Sequence, residues 1–125
     1  MSDDLRTHTF ALHLCRENKL AYDILTGLAS TWLISDPDTE PFWGQVVAAD
    51  QRGDEVAEVR LADSELDYVL GDLLLTARWL LHNINHWQEC HDEDRVAGFS
   101  RALGAVNNCA KAIADSVSVR GLPVN

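Results

Sequence analysis

The sequence predicts a mainly α-helical fold: three long helices in a bundle, with a small β-hairpin (about 44–61) inserted after the first. Three observations carry that expectation. Apolar residues recur three and four apart over three long stretches, the spacing of one helical face. Helix punctuation falls between those stretches, at Ser35-Asp36-Pro37, at Ser64 and at Gly121-Leu122-Pro123. Between residues 55 and 61 the period changes to strict alternation, which suits a strand. An all-α four-helix bundle is the alternative. With 125 residues and 46% hydrophobic content the chain is long enough to bury one core, and residues 1–125 read as a single domain without repeat or linker.

The first helix is expected from Ser2 or Asp4 to about Ile34. At about 100° per residue, Phe10, Leu14, Ala21, Leu25, Leu28 and Trp32 share a stripe, with Arg16, Lys19 and Asp23 on the other side. Thr9 to Leu14 also alternates as a strand would. Next come Gln45–Ala49 and Glu55–Leu61 around Asp50-Gln51-Arg52-Gly53, where Asp opens a turn and Gly closes it. This is the expected hairpin. Its rival is a short helix from Thr39 through Ala49 with Pro41 in its first turn.

The second long helix starts at Ser64-Glu65-Leu66-Asp67, a variant of the capping box, and runs to about His91. It carries two apolar stripes. The broad one holds Leu66, Val69, Leu70, Leu73, Ala77, Leu80, Leu81, Ile84 and Trp87; the opposite one holds Tyr68, Leu75, Trp79, His82 and His86. A helix apolar on two sides is either central or keeps one face for a partner. The last helix follows at once, capped by Asp92 or Asp94, so the two form an antiparallel pair. Val96, Phe99, Leu103, Val106, Ala110, Ile113 and Val117 line it, beside a strip of small residues from Gly98 to Ala112. Gly121, Leu122 and Pro123 read as its C-cap. The interior glycines 27, 71, 98 and 104 are expected where helices cross closely, since each costs roughly 1 kcal/mol inside a helix.

Charge narrows the function classes. The net charge is −10, and the stretch 36–67 holds ten acids against Arg52 and Arg60, a net −8. Direct binding to nucleic acid is therefore excluded as an expectation, because phosphate backbones are bound by Lys and Arg. A partner protein with a basic surface is favoured instead. No apolar run approaches the length of a membrane span, and the acidic start Met1-Ser2-Asp3-Asp4 is unlike an export signal; a cytoplasmic protein with no membrane contact is expected. Three widely spaced cysteines, Cys15, Cys90 and Cys109, suit free buried thiols rather than a disulfide framework.

No catalytic signature stands out. The strongest constellation is His82, His86 and Glu89, which successive spacings of four and three place on one helical face able to grip a divalent ion. His8 or His13 would have to complete the set, and no His-Glu-x-x-His signature is present. The same histidines extend the Tyr68–Trp79 stripe as packing residues, which is the favoured reading, and no cofactor is expected. Cys90 beside His91 points away from it on a helix, so a catalytic thiol is disfavoured.

The leading expectation is a non-enzymatic protein-binding module that self-associates as a homodimer. Its specific form is a small acidic bacterial or phage antagonist occupying the nucleic-acid-binding surface of a basic protein. The contact residues would be Asp36, Asp38, Asp50, Asp54, Glu55 and Glu58 of the acidic stretch, with Tyr68, Leu75 and Trp79 of the aromatic stripe. The alternative is a metal-binding enzyme or sensor built on His82, His86 and Glu89.

Overall fold

Strand β1 (Thr7–His13) comes first, where helix was expected. The computed structural model describes residues 6–121. After β1 come α1 (Lys19–Ser35), a 3-10 turn (Pro37–Thr39), α2 (Glu40–Arg52), β2 (Val56–Ala62), a second 3-10 turn (Asp63–Glu65), α3 (Leu66–Glu89) and α4 (Glu93–Gly121). The fold is thus mainly α, four helices with a two-stranded antiparallel sheet. The predicted helix start at Ser2 or Asp4 lies outside the described residues, as do Leu122 and Pro123 of the predicted C-cap.

The alternation from Thr7 to Leu12 prevails over helical periodicity because a partner strand exists. His8, Phe10 and Leu12 pair with Leu61, Val59 and Ala57 on the core side, and Thr7, Thr9 and Ala11 look outward. The helix then begins at Asn18, whose side chain accepts from the Ala21 N–H at 3.1 Å. That side-chain cap satisfies one of the donors a helix start leaves open. Ala21, Leu25 and Ala29 are the buried face of α1.

The hairpin expectation is corrected. Gln45 to Ala49 is helix, and β2 pairs with the distant β1 rather than with its sequence neighbour. Phe42, Trp43, Val46 and Ala49 are buried at helical spacing in α2, so the rival short helix is the one that forms. Gly53 ends it with φ +84. Its N–H reaches the Asp50 carbonyl at 3.0 Å, and the Asp54 N–H reaches the Ala49 carbonyl at 3.0 Å. Those two bonds make a Schellman cap, which uses the glycine for its left-handed backbone rather than for a hairpin turn.

Gln45 has a second role. Its amide accepts from the Arg60 N–H at 2.9 Å and donates to the Arg60 carbonyl at 2.8 Å, plugging the outer edge of β2 as a neighbouring strand would. Ahead of α3 the Glu65 carboxylate reaches back to the Ala62 N–H at 2.6 Å and caps the 3-10 turn, so α3 itself begins at Leu66 and the capping box expected at Ser64 does not form.

The α3–α4 turn matches expectation. His91 takes a left-handed φ of +57, with the Asp92 N–H bonded to the Trp87 carbonyl at 3.0 Å. Asp92 then caps α4 by accepting from the Arg95 N–H at 3.1 Å. Helix α4 packs against α1, α3 and β1, and α2 packs against α1 and β2. One core runs through all of them, from Phe10, Leu12, Trp43 and Val59 to Leu73, Leu80, Val106 and Ile113. Of the interior helical glycines, only Gly98 serves a close crossing: a Cβ there would lie 2.6 Å from Leu20 Cδ2. Gly27, Gly71 and Gly104 have open space instead, so the crossing role expected of them does not apply.

Candidate functional site

α1 and α3 both lean on α4 but barely touch each other. A groove of about 730 Å³ runs between them, walled by Ile24, Gly27, Leu28, Thr31, Trp32 and Ser35 of α1 and by Leu75, Thr76 and Trp79 of α3, with Asp23 at one end. The lining is mostly apolar, with the Thr31, Ser35 and Thr76 hydroxyls as its polar points. From Asp23 to Ser35 the α1 wall spans about 18 Å, three helical turns. Gly27 leaves the wall open where any side chain would project into the groove.

The groove continues onto an apolar surface of α3. Tyr68 is 64% exposed, Leu75 54% and Trp79 47%, whereas Leu74 and Leu81, also open, lie about 100° or more round the helix from that stripe. Leu81 was expected in the buried stripe and lies outside it. These residues flank Gly71, Arg78, His82 and Asn85, all exposed. Trp79 leans on Phe99 of α4 at 5.9 Å between ring centroids, which fixes its position at the groove wall.

A buried polar relay closes one end of the groove. Trp32 donates to the Thr76 hydroxyl at 2.8 Å, and Thr76 donates to the Asp72 carbonyl at 2.8 Å. The Asp72 carboxylate accepts from the Thr39 hydroxyl at 2.7 Å and, at 3.4 Å, from the Trp43 indole. Asp72 is only 6% exposed. Burial lifts its carboxyl above the ordinary aspartate range; the Thr39 hydroxyl opposes this, and neighbouring Asp36 adds to it. The relay ties α1, the 3-10 turn, α2 and α3 together where α1 and α3 do not pack directly. Sequence reasoning missed it: Asp72 and Thr76 sit four apart between apolar positions of α3, the one signal that could have marked them.

The acidic stretch does not gather on one face. Asp36 and Asp38 precede α2, whereas Asp50 lies in its last turn and Asp54 beyond it, so α2 separates the two groups. Asp50 is engaged internally, paired with Arg16 at 3.0 Å and accepting from the Tyr22 hydroxyl. That donation, first among its causes, raises the Tyr22 hydroxyl above its ordinary value. Asp54 holds Arg52 at 2.9 Å, and its carbonyl accepts from Arg16 at 2.8 Å. Glu55 and Glu58 are exposed, Glu58 on the outer face of the sheet.

His82, His86 and Glu89 are all exposed along α3, so the two histidines are not buried packing residues as expected. Among the described residues, no group of three or more His, Cys, Asp or Glu side chains is arranged to hold a metal ion. His86 faces other neighbours, with its ring edge-on to Trp87 at 4.7 Å and its Nε2 3.8 Å from Cys90 Sγ. His8 is bound to Asp63 at 3.0 Å, and His13 is exposed on the outer sheet face. Among the described residues, no helix is long and apolar enough to cross a membrane.

The thiols differ. Cys15 and Cys109 are buried, and burial pushes the Cys109 thiol up to about 12. Cys90 is exposed, unlike the buried thiol expected from its place in a helix, because α3 ends there at a solvent-facing turn. A thiol-specific chromogenic reagent is therefore expected to label Cys90 quickly in the native chain, with Cys15 and Cys109 reacting only on unfolding. Equal rates for all three would contradict the burial described.

Comparison of the chain with protein-family models, with curated proteins and with solved structures finds no match.

Proposed function

We propose that this chain is a non-enzymatic protein-binding module that seats a basic amphipathic helix in the groove between α1 and α3. The observation that carries the reading is that Leu75 and Trp79, large apolar side chains of the groove wall, stand about half exposed, with Tyr68 open on the same stripe of α3. Trp and Tyr are the side chains that anchor protein contacts most strongly, and an apolar trough three turns long suits a helix laid into it. The partner's basic character follows from charge. The chain carries −10, with Asp23 at one end of the groove and Asp36 beside the relay at the other. Such a field attracts Lys and Arg at a partner's flanks.

An antagonist that mimics nucleic acid is the narrower form of this reading. It draws less support from the geometry, since Asp50 and Asp54 face Arg16 and Arg52 and the carboxylates do not form one surface. The groove, rather than the acidic stretch, is the proposed contact.

The test is a titration of the full chain with lysine-rich amphipathic helical peptides, followed by tryptophan fluorescence. Binding is expected to weaken as salt rises from about 50 to 500 mM, a range in which screening of surface charge becomes nearly complete. Gly27→Leu projects into the groove from a position whose Cβ would meet nothing within 4 Å, and it is expected to weaken binding about tenfold or more, or roughly 1.4 kcal/mol. Unaltered binding by Gly27→Leu removes the groove from the proposal, and failure of every such peptide to bind overturns it.

A further inference from the structure

The two edges of the sheet are treated differently. The outer edge of β2 is closed by the Gln45 amide and by α2. The outer edge of β1 carries no such amide clip: α4 packs against β1, but among the described residues it makes no hydrogen bond to the strand's outward groups. The register, extended by the Leu14 N–H to the Glu55 carbonyl and the Asp63 N–H to the Arg6 carbonyl, directs the backbone of His8, Phe10 and Leu12 toward β2. By the alternation of an antiparallel ladder, the N–H and C=O of Thr7, Thr9 and Ala11 therefore point away from the sheet. Among the described residues, none of these outward groups has a backbone partner. An open edge of this kind is a template for another strand.

We infer that β1 pairs with β1 of a second copy of this chain, antiparallel and centred on Phe10, to give a continuous four-stranded sheet. Three features select a second copy as the occupant. First, residues 7–14 contain no Asp, Glu, Lys or Arg, in a chain of net charge −10. Two copies meeting along this strand bring no like charges of the strand together, whereas the strand itself offers a basic peptide no carboxylate to read. Second, the pairing is self-complementary. Centred on Phe10, it sets Thr9 opposite the partner's Ala11, and Thr7 opposite the partner's His13. The outward N–H and C=O groups of Thr9 and Ala11 then meet in hydrogen-bonded pairs, with their small side chains on the exposed face, while the His13 carbonyl also accepts from the Cys15 thiol at 3.7 Å. Third, assembly closes at two chains. Each copy uses its β1 edge, and the Gln45 clip blocks β2 on both outer sides, so the interface is isologous and generates no fibre.

This dimer uses a surface distinct from the α1–α3 groove, so the two proposals fail independently. Sedimentation of the full chain is the measurement, with wild type expected at twice the 13.9 kDa chain mass. Thr9→Pro removes an outward donor and no bond of the β1–β2 ladder. It is expected to weaken association at least tenfold while the circular dichroism spectrum is retained. The double variant Thr9→Lys, Ala11→Lys sets ammonium groups opposite each other across the interface, keeps every backbone donor, and is expected to give monomer as well. Trp79→Asp is expected to remain dimeric. A monomeric wild type overturns the inference. So does a dimer that survives both β1 variants, or one that Trp79→Asp dissolves, the latter placing the contact on α3 instead.

Discussion

Asp72→Asn is expected to remove an acid-range dependence of stability that the wild type shows. The Asp72 carboxyl titrates above its ordinary value near 3.8, chiefly because it is buried. The folded chain therefore keeps the proton to higher pH than the unfolded chain does. Where the native state binds more protons, stability falls as pH rises. The contribution is fully present below the ordinary aspartate pKa, is lost as pH climbs through the raised one, and is flat beyond. Asparagine keeps an oxygen for Thr39 and Trp43 and offers its N–H₂ toward Asp36, with no charge to desolvate. Urea titrations across the acid range should show the wild-type slope and, for Asp72→Asn, a smaller one with neutral-pH stability equal or higher. Asp72→Ala is the contrasting case. Thr39 can turn its hydroxyl to the Asp36 carbonyl 3.1 Å away, but the Trp43 indole N–H loses its acceptor inside the core. A buried donor left unpaired costs about 1–3 kcal/mol. A variant as stable as Asp72→Asn would show that the relay does not hold the groove end together.

Gly98→Ala and Gly104→Ala are expected to shift stability in opposite directions, though both replace glycine by the best helix former in the same helix. A methyl at Gly98 would sit 2.6 to 2.9 Å from three carbons of Leu20, including its Cβ, which rotation of the Leu20 side chain cannot move away. α1 and α4 must separate, and overpacking of this kind costs about 1–3 kcal/mol. At Gly104 nothing lies within 4 Å, so the substitution brings only the propensity gain of roughly 1 kcal/mol. Thermal or chemical denaturation of the two variants side by side is sufficient. Stabilisation by both would mean that the α1–α4 crossing is looser than described.

The long helices were legible in the sequence because their signals are local. The 3.6-residue period and the caps at Asp92 and Asp36-Pro37 act within a few residues, and each is where the structure ends or begins a helix. What the sequence left ambiguous depended on distant partners. Thr9 to Leu14 satisfies both periods, and only β2, more than forty residues later, decides for the strand. Gly53 suits a tight turn and a helix cap equally; the burial of Phe42, Trp43 and Val46 selects the cap. Tyr68, Leu75 and Trp79 share one stripe by spacing, and burial in the core was as open to it as solvent, because a stripe does not reveal its own exposure. That follows from α1 settling on α2 and α4 rather than across α3. The relay at Asp72 was hidden for another reason: an aspartate on an apolar face is legible only once its donors, Thr39 and Trp43, are known.

The pairing of β1 with β2 also orders the route to the native state. Helices α3 and α4 are joined by a tight turn, so their contacts form between near neighbours at little entropic cost. The strands enclose α1 and α2 between them, and closing so long a loop must be offset by contacts that exist only once those helices are in place. The sheet is thus expected to form late, locking a helical assembly already standing. In refolding followed by hydrogen exchange, amides of α3 and α4 are expected to gain protection before those of β1 and β2.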